Sequence, residues 1–159
     1  MLRKMNKEAV MNLDLGPIRF KLNESLGWTK EKVDKSEMAY KRFLFLSGQY
    51  PDETVVPIGG VDDFWHYHIM DTYKYKEDCE NIFGDFLHHF PYFGVRGEED
   101  VKNLETAIEK TELLYIKEFG ENPPKTNIDD AKCGGDMTCG ASLFEKNKSD
   151  MNTMHRPSF

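Results

Sequence analysis

At 159 residues the chain is long enough for one domain with a modest core and too short for two sizeable ones. Its 39% hydrophobic and 31% charged residues exclude a disordered chain, and 13% aromatic residues point to a core dominated by rings. A formal net charge of -7 argues against a nucleic-acid or anionic-membrane surface, both of which need clustered positive charge. There is no run of about 18 apolar residues, and the basic start from Met1 to Lys7 lacks the apolar stretch of a secretory signal. Three cysteines do not make a disulfide framework, so a reducing, cytoplasmic location is expected.

Residues 1 to 16 read as a short amphipathic lead-in ending at Gly16. Pro17 suits a first helical position, and Ile18, Leu22 and Leu26 recur at helical spacing until Gly27. Thr29 is the expected N-cap of a second helix whose core positions are Val33, Tyr40, Phe43, Leu44 and Leu46, and whose pattern fails after Gly48. Val55 to Gly60 is a loop with one extended segment, because Pro57 and the glycine pair exclude helix.

A long central helix is expected from about residue 62 to 83, capped by Asp62 or Asp63 and stopped by Gly84. At about 100° per residue, Phe64, Trp65, His68, Thr72, Tyr75, Cys79, Ile82 and Phe83 fall in one sector, its core face. Asp85 to His89 would add a turn before Pro91, which biases Phe90 out of the helical region. Glu98, Glu99 and Asp100 then suit the start of a last helix with the stripe Val101, Leu104, Ile108, Tyr115 and Phe119, closed by Gly120 and the prolines 123 and 124. The expectation is a mainly helical single domain of four or five helices over residues 1–120, followed by a flexible or loosely docked tail over residues 121–159.

Residues 61–94 hold four of the five histidines, several aspartates and one cysteine among aromatic residues. His66 and His68 are two apart, so on a helix they point about 200° from each other and cannot grip one ion together. Asp62 lies one turn before His66, and Asp71 one turn after His68, close enough to share a metal or to orient a ring. The other ligands would come from His88 and His89, and two or three imidazoles with a carboxylate suit zinc or non-haem iron. The plainer alternative makes His68 a core histidine bonded to Asp71, Thr72 or a backbone carbonyl, with His88 and His89 closing the helix. Cys79, on the buried sector and three turns beyond His68, reads as a small apolar residue rather than a nucleophile. Cys133 and Cys139 are too widely spaced for a zinc knuckle and read as a free pair.

The run Asp14-Leu15, Pro17-Ile18, Lys21-Leu22, Gly27-Trp28, Tyr40 to Leu44, Trp65-His-Tyr-His-Ile-Met-Asp-Thr72, Lys74-Tyr75, Asp78-Cys79, Phe83-Gly84 and His88-His-Phe-Pro-Tyr-Phe-Gly94 resembles short bacterial relatives of the glycine-rich domain-containing protein family over about residues 12 to 120. The resemblance implies no reaction; plant members are associated with development and stress responses and are thought to act through binding. It carries over His66, His68, Asp71, Tyr75, Asp78, Cys79, His88 and His89 as pattern residues. The long glycine-rich region and any RNA-binding segment of the plant proteins are missing, so nucleic-acid binding is not expected. The leading expectation is a metal-binding domain with ligands among Asp62, His66, His68, Asp71, His88 and His89, with or without a reaction of its own as a small metalloenzyme. Its competitors are an interaction module that uses the loop from Phe90 to Gly94 and the tail to recruit a protein partner, and a scaffold that presents Cys133 or Cys139 in the tail for modification.

Overall fold

The computed structural model describes residues 4–124 and 141–144 of the chain. Six helices follow in order, α1 (Lys7–Met11), α2 (Gly16–Leu26), α3 (Lys30–Gln49), α4 (Val61–Met70), α5 (Thr72–Phe83) and α6 (Glu98–Phe119), with two short strands, β1 (Leu87–Phe90) and β2 (Ala141–Phe144). Five of the helices have ten residues or more, so the chain forms the mainly helical single domain expected from its periodicity.

Local signals set most helix ends. Thr29 caps α3 by accepting a hydrogen bond from the Lys32 N–H at 3.2 Å. Helices α2, α5 and α6 stop at Gly27, Gly84 and Gly120. At Gly84 φ is 69°, a left-handed conformation without steric penalty for glycine, and its N–H bonds the Glu80 carbonyl.

The core is built on rings. Trp65, Tyr40, Tyr75 and Phe64 are the largest fully buried side chains, and each contributes on the order of 2–3 kcal/mol by leaving water. Phe43 of α3 packs at a tilt 4.7 Å from Trp65 of α4, and Tyr40 lies 5.1 Å from Phe64, so α3 and α4 meet through aromatic rings. A smaller cluster of Val56, Phe93, Leu104, Ala107 and Ile108 joins the loops to α6.

Three local expectations are corrected and a fourth holds. The central helix is not continuous: Asp71 ends α4 with ψ 73° and accepts from the Lys74 N–H at 3.3 Å as the N-cap of α5. Neither Asp62 nor Asp63 caps α4, because Gly60 does; both acids stand in the first turn, and Asp62 is turned inward at 3% exposure. The turn expected from Asp85 to His89 is instead strand β1, antiparallel to β2 in the register Leu87↔Phe144, His88↔Leu143, His89↔Ser142 and Phe90↔Ala141. Val55 to Ile58 is a loop, as expected, and it is buried, with the Val56 N–H donating to Thr111 Oγ1 at 3.1 Å.

The loop after β1 is fastened to α6. The buried carboxylate of Asp100 accepts from the N–H groups of Gly94 at 2.8 Å and Arg96 at 3.1 Å, and from the Arg96 guanidinium at 2.7 Å. Burial opposes the charge on Asp100, but these bonds outweigh it and hold the carboxyl below its usual pKa. Gly94 has φ 85° and passes so close to α6 that an added Cβ would lie 2.4 Å from Leu104 Cδ2. Phe93 is buried, so the loop from Phe90 to Gly94 spends part of its aromatic surface on the fold. No helix of the described residues is long and apolar enough to cross a membrane. Cys133, Cys139 and most of the expected tail lie outside the described residues.

Candidate metal centre

Asp62 and His66 stand one turn apart on α4 and so share a face. His89 reaches the same point from β1. In a strand successive side chains alternate between faces, which separates His89 from His88. The Nε2 of His89 lies 2.9 Å from Asp62 Oδ1 and 2.9 Å from the Nε2 of His66, whose own distance to Asp62 Oδ2 is 3.3 Å. Among the described residues this is the group of three whose ligand atoms all fall within 4.8 Å of one another.

Hydrogen bonding alone does not satisfy this cluster. A proton on His89 Nε2 can go to Asp62 Oδ1 or be shared with His66 Nε2, which must then carry its own proton on Nδ1. That Nδ1 is buried and has no hydrogen-bond partner among the described residues, and neither has Asp62 Oδ2. If His66 Nε2 carries the proton and donates to His89, the His89 lone pair faces the Asp62 carboxylate 2.9 Å away. The first of these leaves a buried donor unpaired and the second leaves an acceptor facing an acceptor, at about 1–3 kcal/mol for each such group. A cation between the three atoms satisfies them at once. Bonds of 2.0–2.1 Å in tetrahedral geometry put ligand atoms about 3.3 Å apart, close to the separations found here.

The surroundings favour the ligating forms. Burial lowers the His66 pKa; the nearby Asp62 charge works against this and the His89 ring adds to it, so the ring is kept neutral and its lone pair available. Asp62 and His89 side chains are 4% and 9% exposed and His66 is 23% exposed, so the cluster opens to solvent on the His66 side. The ring of His89 lies against Trp65 at 4.4 Å. Trp65 Nε1 donates to the Tyr75 hydroxyl at 2.9 Å, which donates in turn to the Leu87 carbonyl, tying α4, α5 and the start of β1 together.

The remaining expected ligands are elsewhere. His68 is 1% exposed, with Nδ1 2.8 Å from the Tyr40 hydroxyl and Nε2 2.8 Å from Asp78 Oδ2, so both ring nitrogens are engaged. It is a core histidine, but its partners are not Asp71 or Thr72. Asp71 is a helix cap and Thr72 is exposed. His88 lies beside Phe86 at 4.7 Å, with a buried Nε2 that has no hydrogen-bond partner among the described residues. Burial raises the Cys79 thiol to about 11, which agrees with an inert apolar role. Tyr40 and Asp78 were not singled out as the partners of His68. The one general signal was that a histidine on an apolar face must find a partner if buried, which does not say which one.

No curated protein and no solved structure gives a match to the chain. The model of the UCP032817-like family matches residues 19–111, a span that carries Asp62, His66 and His89 as well as Tyr40, His68 and Asp78. This match covers more than half of the sequence, and the chain belongs to the UCP032817-like family.

Proposed function

We propose that the chain is a metal-binding domain that holds one divalent ion, zinc or iron, on Asp62, His66 and His89. The observation that carries this is the meeting of one carboxylate and two imidazole Nε2 atoms, from two elements, within 4.8 Å of one another, with Asp62 Oδ2 and His66 Nδ1 buried and unpartnered among the described residues. Three protein ligands leave at least one coordination position open, as in catalytic rather than structural zinc sites. Two histidines and one carboxylate are also the facial triad of non-haem iron proteins. This ligand count, with the solvent-facing side at His66, supports the role of a small metalloenzyme in which the ion activates water or dioxygen. The kinship with glycine-rich domain-containing proteins belongs to the same proposal, since the two ligating histidines lie in the block that resembles them.

Elemental analysis of protein purified without chelators tests the centre. The expected result is close to one zinc or iron per chain, lost in His89→Ala and His66→Ala and retained in His88→Ala. The His88 variant discriminates because it removes a neighbouring imidazole on the other face of the same strand. A folded His89→Ala that keeps its metal overturns the assignment.

A further inference from the structure

We propose that β2 is a latch for the metal centre: pairing of residues 141–144 with β1 holds His89 where it ligates, so metal uptake and strand docking reinforce each other. This inference rests on the metal-binding reading above. The third ligand differs from the other two in its support. Asp62 and His66 stand on a ten-residue helix, whereas His89 stands on a strand of four residues. Among the described residues the only strand that pairs with β1 is β2. A two-stranded ladder of this length is marginal in water unless something packs on it.

Two attachments supply what the ladder lacks. At the start of β1 the Leu87 carbonyl takes the Tyr75 hydroxyl, and Leu87 itself is fully buried. Opposite Leu87 in the register, Phe144 is 3% exposed and packs edge-on against Phe83 of α5 at 5.1 Å. Phe144 is therefore the apolar anchor of β2, and His89 lies two residues along the ladder, opposite Ser142. The anchor and the ligand are coupled through backbone that must be extended for either to be in place. Any ion that favours the ligating position of His89 then favours docked β2 by the same factor, and undocking weakens the ion by that factor. β2 lies outside residues 19–111, which match the family model, so the latch is supplied by a part of the chain beyond that segment.

The test uses zinc and the full chain. Amide hydrogen exchange is followed at residues 87–90 and 141–144 with and without zinc, and zinc affinity is measured by chelator competition in the wild type and in Phe144→Ala. Zinc is expected to slow exchange in both strands of the wild type, with no effect in His89→Ala, and Phe144→Ala is expected to raise the zinc Kd about tenfold. The wild-type exchange measurement does not depend on the variant folding. Exchange at 141–144 that ignores bound zinc overturns the latch and leaves the metal centre standing, as does a Phe144→Ala protein with faster exchange there and unchanged zinc Kd. A wild type that takes up neither zinc nor iron overturns both.

Discussion

Two histidines separated by one residue on α4 have opposite surroundings, and the difference lies in what each ring nitrogen meets. His66 faces His89 and Asp62, where lone pairs converge; His68 faces Tyr40 and Asp78, where every polar atom is matched. Burial raises the Tyr40 pKa well above its ordinary value, so its hydroxyl remains a donor to Nδ1, which leaves Nε2–H to donate to Asp78. His68→Ala would empty a buried ring's space, leave the fully buried Tyr40 phenol without its partner and leave Asp78 with Lys74 alone. Its expected loss is about 3–5 kcal/mol, against about 1–3 kcal/mol for Tyr40→Phe, which leaves only one ring nitrogen unmatched. Urea titrations measure the two losses, and the folded fraction of both variants should keep the wild-type metal content. Loss of metal in a folded Tyr40→Phe would mean that His68 serves the centre after all. The two-residue spacing made it legible that His66 and His68 do not share an ion. The partners of His68 were not legible, because a straight helix would carry Asp78 about 15 Å beyond it.

At the scale of elements, helix ends were readable where the signal is local, as with Thr29, Gly27, Gly84 and Gly120. The break at Asp71 was hidden because α4 and α5 turn their apolar residues to one core, so the helical period runs on through the cap. Strand β1 was hidden for another reason. Four residues become a strand only when a partner is present, and the partner lies some fifty residues later in sequence. The site is assembled from these less legible features: His89 reaches Asp62 because β1 is a strand, and β1 is placed by the bonds from Trp65 to Tyr75 to Leu87. Tyr75→Phe keeps the ring but removes the acceptor for Trp65 Nε1 and the donor to the Leu87 carbonyl. With two buried groups left unpaired, the expected loss is about 2–4 kcal/mol in stability, with metal affinity weakened on the order of tenfold. Chelator competition beside thermal unfolding checks it, and unchanged affinity would show that Trp65 alone orients His89.

For the whole molecule, acid is the condition that probes the proposed metal centre and the core together. Folding lowers the His66 pKa from its ordinary value of 6.5, chiefly by burial, so below pH 6.5 the unfolded chain binds a proton that the folded chain resists. Stability is therefore full above that pH and falls as pH drops toward the folded value. Asp78 follows at lower pH: burial opposes its charge, but His68 and Lys74 hold its pKa below 3.8, so its contribution is present above 3.8 and is lost as pH falls through the folded value. The chelator-treated protein should thus show a thermal midpoint that is level above about pH 7, declines below 6.5 and declines again below 3.8. His66→Gln should remove the first decline and keep the second. In the metal-loaded protein the first decline should be steeper, because protons compete with the ion for His66 and the stabilisation by bound metal is lost with it. Equal slopes with and without metal across that first window would separate the ion from His66, and the centre would have to be sought on other residues.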